Sequence, residues 1–386
     1  MTATRVRQLK VRLLGALIVF GWLTLPSFLS AQNVTDQPAA SKGLSERLPH
    51  QEASEDQEAS KKPAIENADE TTPTPPSGLS ADQQPEKKSP QKLEFTKQGG
   101  VVYQSIDDQE LKCDIYTPVG EGPFPAILAV HGGAWRQGSK FALIRHAWKM
   151  AQAGYVVVAI NYRHAPKHPF PAQIHDCKHA IRWMKSRASE MKIAPDKIGA
   201  FGYSAGGHLV SLLGTSDADD GLEGEVTPEM EKFDSRVQAV AAGGAPCEFS
   251  FIDDDSRVLS YWLGGSPQQK PDAFRAASPT TYVTADDPAF FFFHGTSDLI
   301  VPASSSRALH ETLEKSGVST QHFTAKGSGH FSTFSDIGWM EKAIIFFDSH
   351  LKNPEDPPVE NQKKPSTESE TPSAAPTNNL QPALDQ

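Results

Sequence analysis

Gly202-Tyr203-Ser204-Ala205-Gly206 places a serine between small neighbours, after a stretch that reads as a strand (197–201) and before one that reads as a helix (205–213). A chain that reverses this sharply strains the serine backbone and brings helix and strand close together, which is why small residues are needed on both sides. The turn lifts the Ser204 hydroxyl to the top of a sheet and leaves the Ala205 N–H at a helix N-terminus. A hydroxyl becomes a nucleophile only beside a base, and the base needs an acid to orient it. Asp298 follows a run of four phenylalanines in His294-Gly295-Thr296-Ser297-Asp298, and His330 follows in Gly327-Ser328-Gly329-His330-Phe331. The order Ser, Asp, His with small residues around the histidine points to acyl transfer, with a loop carrying the His330 imidazole over Ser204.

A fourth set, His131-Gly132-Gly133-Ala134-Trp135, comes straight after an apolar stretch at 126–130. Successive small residues free backbone N–H groups to meet a developing oxyanion, so Gly133 and Ala134, with Ala205, are read as its donors. Trp135 borders that loop and Tyr203 precedes the serine, so both are read as pocket residues. His131 is read as an anchor of the loop, and His208 and His294 as packing. The acidic run Asp253-Asp254-Asp255 is read as a solvated loop, not as a rival to Asp298.

The elements that must position these groups alternate. Strands are expected at 95–103 and 110–116 as a hairpin turning near Asp107-Asp108, then at 126–130, 155–160, 197–201, 237–242, 289–293 and 321–325. Helices are expected at 141–152, capped by Gly154, and at 172–191, 205–213, 303–315 and 339–351. Runs such as Ala126-Ile127-Leu128-Ala129-Val130 have no polar alternation, as in strands covered on both faces. The fold class is therefore α/β, a mostly parallel central sheet with helices on both faces. In such sheets ligands sit beyond the carboxyl ends of the strands, where all four sets fall. Residues 214–235 and 246–286 show no clear pattern, and Phe249, Phe251, Tyr261 and Trp262 are read as core, with a place in the wall of the acyl or alcohol pocket as the alternative.

Composition sets the boundaries. Of 386 residues 30 are proline, and half of these lie in 32–92 and 353–386, which contain no Phe, Trp or Tyr. Apart from Phe20, Trp22 and Phe28, every aromatic residue falls between 93 and 352. Segments so poor in apolar area do not offset their ordering entropy, so disordered tails are expected at 32–92 and 353–386 around a catalytic domain at 93–352. Arg5, Arg7, Lys10 and Arg12 precede the uncharged apolar run 13–25, and Leu29-Ser30-Ala31 offers a cleavage point. Residues 1–31 therefore read as a signal peptide and the protein as exported, periplasmic or extracellular, with an uncleaved membrane anchor as the alternative. A net charge of −10 without a basic cluster in the domain argues against nucleic acid as a partner. No stable membrane span is expected after cleavage. The three cysteines, Cys113, Cys177 and Cys247, lack disulfide-scaffold or zinc spacing and read as small buried residues, an incidental disulfide being the alternative. Neither metal nor organic cofactor is called for, and oligomeric state is not legible.

Taken together, these motifs resemble the α/β-hydrolase superfamily over about positions 94–351, and within it carboxylesterases of the hormone-sensitive-lipase and acetyl-xylan or feruloyl-esterase type. The segment Asn161-Tyr162-Arg163-His164-Ala165-Pro166-Lys167-His168-Pro169-Phe170-Pro171-Ala172 is similar to the family's Y-R-L-A-P-E-H-P-F-P-A, with His164 and Lys167 replacing Leu and Glu. The resemblance implies a serine esterase with Ser204, Asp298 and His330 as its triad. The Gly-Gly-Ala-Trp loop departs from the family's Gly-Gly-Gly and shifts the expectation to small acyl groups, including acetyl or feruloyl esters of sugars. Arylformamidase-like relatives share that loop, so an amide or formamide substrate stays open, as does a non-catalytic binding role.

Overall fold

The structure, a computed structural model, describes residues 92–106 and 108–352. The leader at 1–31, the spacer at 32–92 apart from Lys92, the tail at 353–386 and Asp107 of the hairpin turn lie outside the described residues.

Eight strands make one sheet. They are β1 (Phe95–Ile106), β2 (Gln109–Pro118), β3 (Phe124–Val130), β4 (Val156–Ile160), β5 (Ile193–Tyr203), β6 (Ala239–Gly243), β7 (Ala289–Gly295) and β8 (Thr320–Ala325), in the spatial order β1-β2-β4-β3-β5-β6-β7-β8. The β1–β2 hairpin and the β2–β4 pair are antiparallel; from β4 to β8 every pair is parallel. This is the mostly parallel sheet expected from the sequence. The chain leaves β3 towards β4 and returns to β3's other side as β5, which opens a crevice between the ends of β3 and β5.

The helices are α1 (Ile144–Gln152), α2 (Ala172–Ser186), α3 (Ala205–Thr215), α4 (Ser260–Leu263), α5 (Pro271–Ala276), α6 (Ala303–Lys315), α7 (His330–Ser335) and α8 (Gly338–Leu351). Strand alternation divides them into two layers. Leu128, Val130, Ala200, Phe290 and Phe292 face Ile174, Ile181, Leu209 and Leu313 of α2, α3 and α6. Ile127, Ala129, Phe201, Phe291 and Phe293 face Ala147, Met150, Ala343 and Phe347 of α1 and α8. The four phenylalanines of β7 thus serve both cores, two to each face.

Three differences from the expected elements have local causes. The helix expected over 172–191 ends at Ser186, whose hydroxyl donates to the Trp183 carbonyl (2.9 Å), and the chain turns through Lys192 at φ 55° into a longer β5. The segment at 246–286 folds into short α4 and α5, with Trp262 fully buried. His330 rides not on a loop but on the first turn of α7, which begins where the Gly329 N–H meets the Ser332 hydroxyl (2.8 Å). The three cysteines are buried and free. Among the described residues, no helix is long and apolar enough to cross a membrane and no cluster of His, Cys, Asp or Glu has metal-binding geometry.

Candidate active site

Ser204 follows β5 and caps α3 with φ 58° and ψ −124°, a left-handed backbone that costs a β-carbon residue about 1–3 kcal/mol. The turn holds because its neighbours are glycines: a Cβ on Gly206 would fall on the carbonyl oxygen of Val130 in β3, and one on Gly202 on the carbonyl of Gly206. The Ser204 N–H is taken by Gly243 O (2.8 Å), and the serine side chain makes no capping bond. Ala205 opens α3, where the first N–H groups of a helix have no partner within it.

The loop after β3 lies against this turn. A Cβ on Gly132 would stand 2.8 Å from the Tyr203 carbonyl and 3.1 Å from Ser204 Cβ. Gly133 (φ 128°), Ala134 (φ 51°) and Trp135 (φ 58°) follow in positive-φ conformations. Their carbonyls are all engaged: Gly133 O by the N–H groups of Arg136 and Gln137 (3.1 Å each), Ala134 O by the Tyr261 hydroxyl (2.9 Å) and Trp135 O by the Ala165 N–H (2.9 Å). Among the described residues the N–H groups of Gly133 and Ala134 have no acceptor. His131 anchors the loop as expected. Its ring stacks on Tyr162 (4.3 Å), whose hydroxyl donates to His131 O (3.0 Å), and burial lowers the imidazole to about 3, so the ring stays neutral.

His330 Nδ1 is 2.6 Å from Asp298 Oδ2. Asp298 follows β7, its carboxylate fully enclosed, and its other oxygen, Oδ1, accepts the N–H groups of Ile300 (2.9 Å) and Val301 (2.8 Å). Burial works against the charge, but hydrogen bonds from His294, His330 and Val301 outweigh it and hold the carboxyl well below the usual carboxylate range. The His330 carbonyl accepts the Tyr203 hydroxyl (2.6 Å), and the two rings lie 5.1 Å apart. The residue before Ser204 thus touches the residue that carries the imidazole.

Tyr203, expected to line a pocket, is buried among His330, Phe293 and Phe334, with its hydroxyl committed to His330; it braces the histidine. Trp135 does border the loop but is itself 4 % exposed, stacked at 3.7 Å on Trp262. Its indole N–H points at His208 Nδ1 (3.2 Å), and His208 Nε2 donates to Ala277 O (2.6 Å). His294, read as packing, stands with Nε2 3.3 Å from Asp298 Oδ2. Tyr261 and Trp262, read as core, also fasten the loop from 127 residues away. Leu299 and Phe331, the residues after Asp298 and His330, are 65 % and 55 % exposed and give this end of the sheet an apolar rim.

The buried histidines make the fold acid-sensitive. Burial lowers His208 from its ordinary 6.5 to about 4, and His146 and His322 move the same way. Between those values the unfolded chain binds a proton that the folded chain refuses, so the histidines' contribution to stability falls as pH drops from 6.5 towards 4 and levels off below. For His208 alone the loss is roughly 3 kcal/mol. Urea midpoints between about pH 7 and pH 4.5 are expected to decline steadily; a flat series would contradict this.

Residues 113–313 match the BD-FAE family profile. The probable carboxylic ester hydrolase LipM of Mycobacterium tuberculosis is 34% identical over 204 residues, 50% of this chain and 46% of that one. The chain spans about half the length of the curated relatives it matches. Among solved structures, a truncated carbohydrate esterase from gut microbiota is 26% identical with a TM-score of 0.62, over 69% of this chain and 99% of that one. A butyrate-bound esterase from Thermogutta terrifontis, Est2, is 25% identical with a TM-score of 0.56, over 67% and 94% of the two chains.

Proposed function

Given that the chain belongs to the BD-FAE family of the α/β-hydrolase superfamily, we propose that it hydrolyses short-chain carboxylic esters through an acyl-enzyme on Ser204. Ser204 Oγ bonds to the ester carbonyl carbon while His330 Nε2 takes its proton, and Asp298 holds the ring with Nε2 free to accept. Negative charge gathers on the carbonyl oxygen, where the N–H groups of Gly133, Ala134 and Ala205 receive it. The ester C–O bond then breaks, and the alcohol leaves with the proton from His330. Water adds by the same route in reverse, the acid is released and Ser204 is restored.

The observation that carries this reading is the 2.6 Å bond from His330 Nδ1 to an enclosed Asp298, with the His330 carbonyl bonded to Tyr203, the residue before a serine held at φ 58°. An acid that accepts only donors fixes the imidazole's proton on Nδ1, as a general base for a hydroxyl requires.

Two facts support a short acyl group. Trp135, His208, Phe249 and Trp262, all buried, pack against one another beside the Gly133–Trp135 loop. The Thermogutta esterase binds butyrate, and the gut relative is a carbohydrate esterase, which supports acetylated or similarly acylated sugars as natural substrates. The basic and then apolar start of the sequence supports placing this activity outside the cytoplasm.

The test is hydrolysis of p-nitrophenyl acetate, butyrate and octanoate by the full chain. From butyrate to octanoate kcat/KM is expected to fall by about tenfold or more. A preference for octanoate would overturn the short-acyl reading.

A further inference from the structure

The hydrogen bonds around Asp298 do not stop at His330. His294, at the end of β7 and fully buried, puts Nε2 3.0 Å from the Val301 carbonyl and 3.3 Å from Asp298 Oδ2. Both neighbours are acceptors, so Nε2 must carry a hydrogen. Its Nδ1 is 2.8 Å from the Ser306 hydroxyl of α6, and Ser306 Oγ is in turn 3.0 Å from His322 Nε2 of β8. Ser306 has a single hydrogen. The Ala303 carbonyl also lies within reach at 3.3 Å, but His294 Nδ1 is much the closer acceptor. If that hydrogen goes to His294, His322 Nε2–H must be the donor to Ser306. Burial first, then the nearby His310, His294 and Arg307, lower His322 to about 4, which keeps its ring neutral and able to do so. The hydrogens of His322 and Ser306 then each have one place, and the Nε2–H of His294 is shared between the Val301 carbonyl (3.0 Å) and Asp298 Oδ2 (3.3 Å).

We infer that His294 is a positioning residue: locked by Ser306 and His322 as its Nε2–H tautomer, it holds the Asp298 oxygen that grips His330. This rests on the proposed esterase chemistry. Oδ2 would otherwise answer to His330 alone, while Oδ1 is pinned by two backbone N–H groups. A second donor on Oδ2 fixes the carboxylate's rotation and moderates its pull on a protonated His330. The titratable and charged groups around the chain from His322 to Asp298 are Arg307 and His310 on α6 beside His322 of β8, and His330 on α7 beside Asp298 beyond β7.

His294→Leu removes the donor at similar bulk, whereas His294→Gln can place an amide N–H near the Nε2 position. With p-nitrophenyl acetate, His294→Leu is expected to lower kcat by about ten- to a hundredfold with KM within about twofold. The acid limb of its kcat/KM profile should move up by about half a pH unit, because a less solvated carboxylate keeps His330 protonated to higher pH. His294→Gln should recover most of both effects. The downfield proton resonance of His330 Nδ1–H, read in resting enzyme, should shift in His294→Leu and return in His294→Gln. This last measurement needs no turnover, so a wild-type enzyme inactive on esters would overturn the esterase reading while leaving the resonance comparison to decide the role of His294. Wild-type kcat, pH profile and resonance in folded His294→Leu would overturn the inference, as would a His294→Gln variant as impaired as His294→Leu. If His294→Leu does not fold, Ser306→Ala decides: it unlocks Nδ1 and should move the acid limb upward by a smaller step, and an unmoved limb would overturn the assignment.

Discussion

Replacing Ser204 by alanine is expected to lower kcat/KM for p-nitrophenyl acetate by about five to six orders of magnitude while leaving the fold in place. The loss is large because, in the proposed reaction, the hydroxyl forms the covalent bond itself. Free Cys247 is fully buried, with its thiol pushed up to about 12 by burial, and makes no thiolate near neutral pH. The stability effect is small because Ser204 Oγ makes no capping bond, and the turn is shaped by Gly202, Gly206 and the bond from Ser204 N–H to Gly243 O. Alanine carries the same Cβ at φ 58° as serine, so the strain is unchanged. Kinetics and a thermal melt on the same sample check both halves: a rate within tenfold of wild type would remove Ser204 from the chemistry.

Asp298→Asn is expected to cost about four orders of magnitude in kcat, more than a lost charge alone would suggest. All four groups around this carboxylate are donors: the N–H groups of Ile300 and Val301 on Oδ1, and His330 and His294 on Oδ2. An asparagine keeps one acceptor oxygen, and the two backbone N–H groups, which cannot move, claim it. The NH₂ then stands where Oδ2 was and faces His330 Nδ1. To accept from it, the imidazole must move its proton to Nε2, the atom that has to receive the serine's proton. The base is thus disabled in place. The decisive comparison is the pH dependence of kcat: a variant recovering wild-type rates at high pH, where Asn and Asp would differ only in charge, would argue against the tautomer mechanism.

Much of this site was legible in the sequence because it is written in short segments whose positions follow from strand ends. Ser204 between small residues, the Gly-Gly run after 126–130 and Asp298 after four phenylalanines each combine a residue type with a place in the α/β alternation, and the parallel sheet brings those places to one edge. What the sequence hid is whatever depends on contacts across the chain. Tyr261 and Trp262 hold the Gly133–Trp135 loop from a segment without periodicity, so nothing local distinguishes them from core residues. His294 lies four residues before Asp298, a spacing that says little in an irregular turn; only Ser306 and His322, from two other elements, reveal which way its ring nitrogens point. Tyr203 was misleading for the opposite reason: it adjoins the serine, but strand alternation turns it to the other face of the sheet, where it supports His330. The short α7 under His330 also lacked a sequence signal, since six residues give no helical period and its first turn is set by Gly329 and Ser332.

The central claim is a covalent acyl group on Ser204. Mixing the protein with excess p-nitrophenyl acetate, quenching in acid within the first turnovers and mapping the peptides by mass tests it directly. The expected result is one acetyl group on the peptide containing Ser204, absent from Ser204→Ala and formed together with a stoichiometric burst of p-nitrophenol. Steady turnover by the wild type with no label on Ser204, or the same label on the alanine variant, would contradict it.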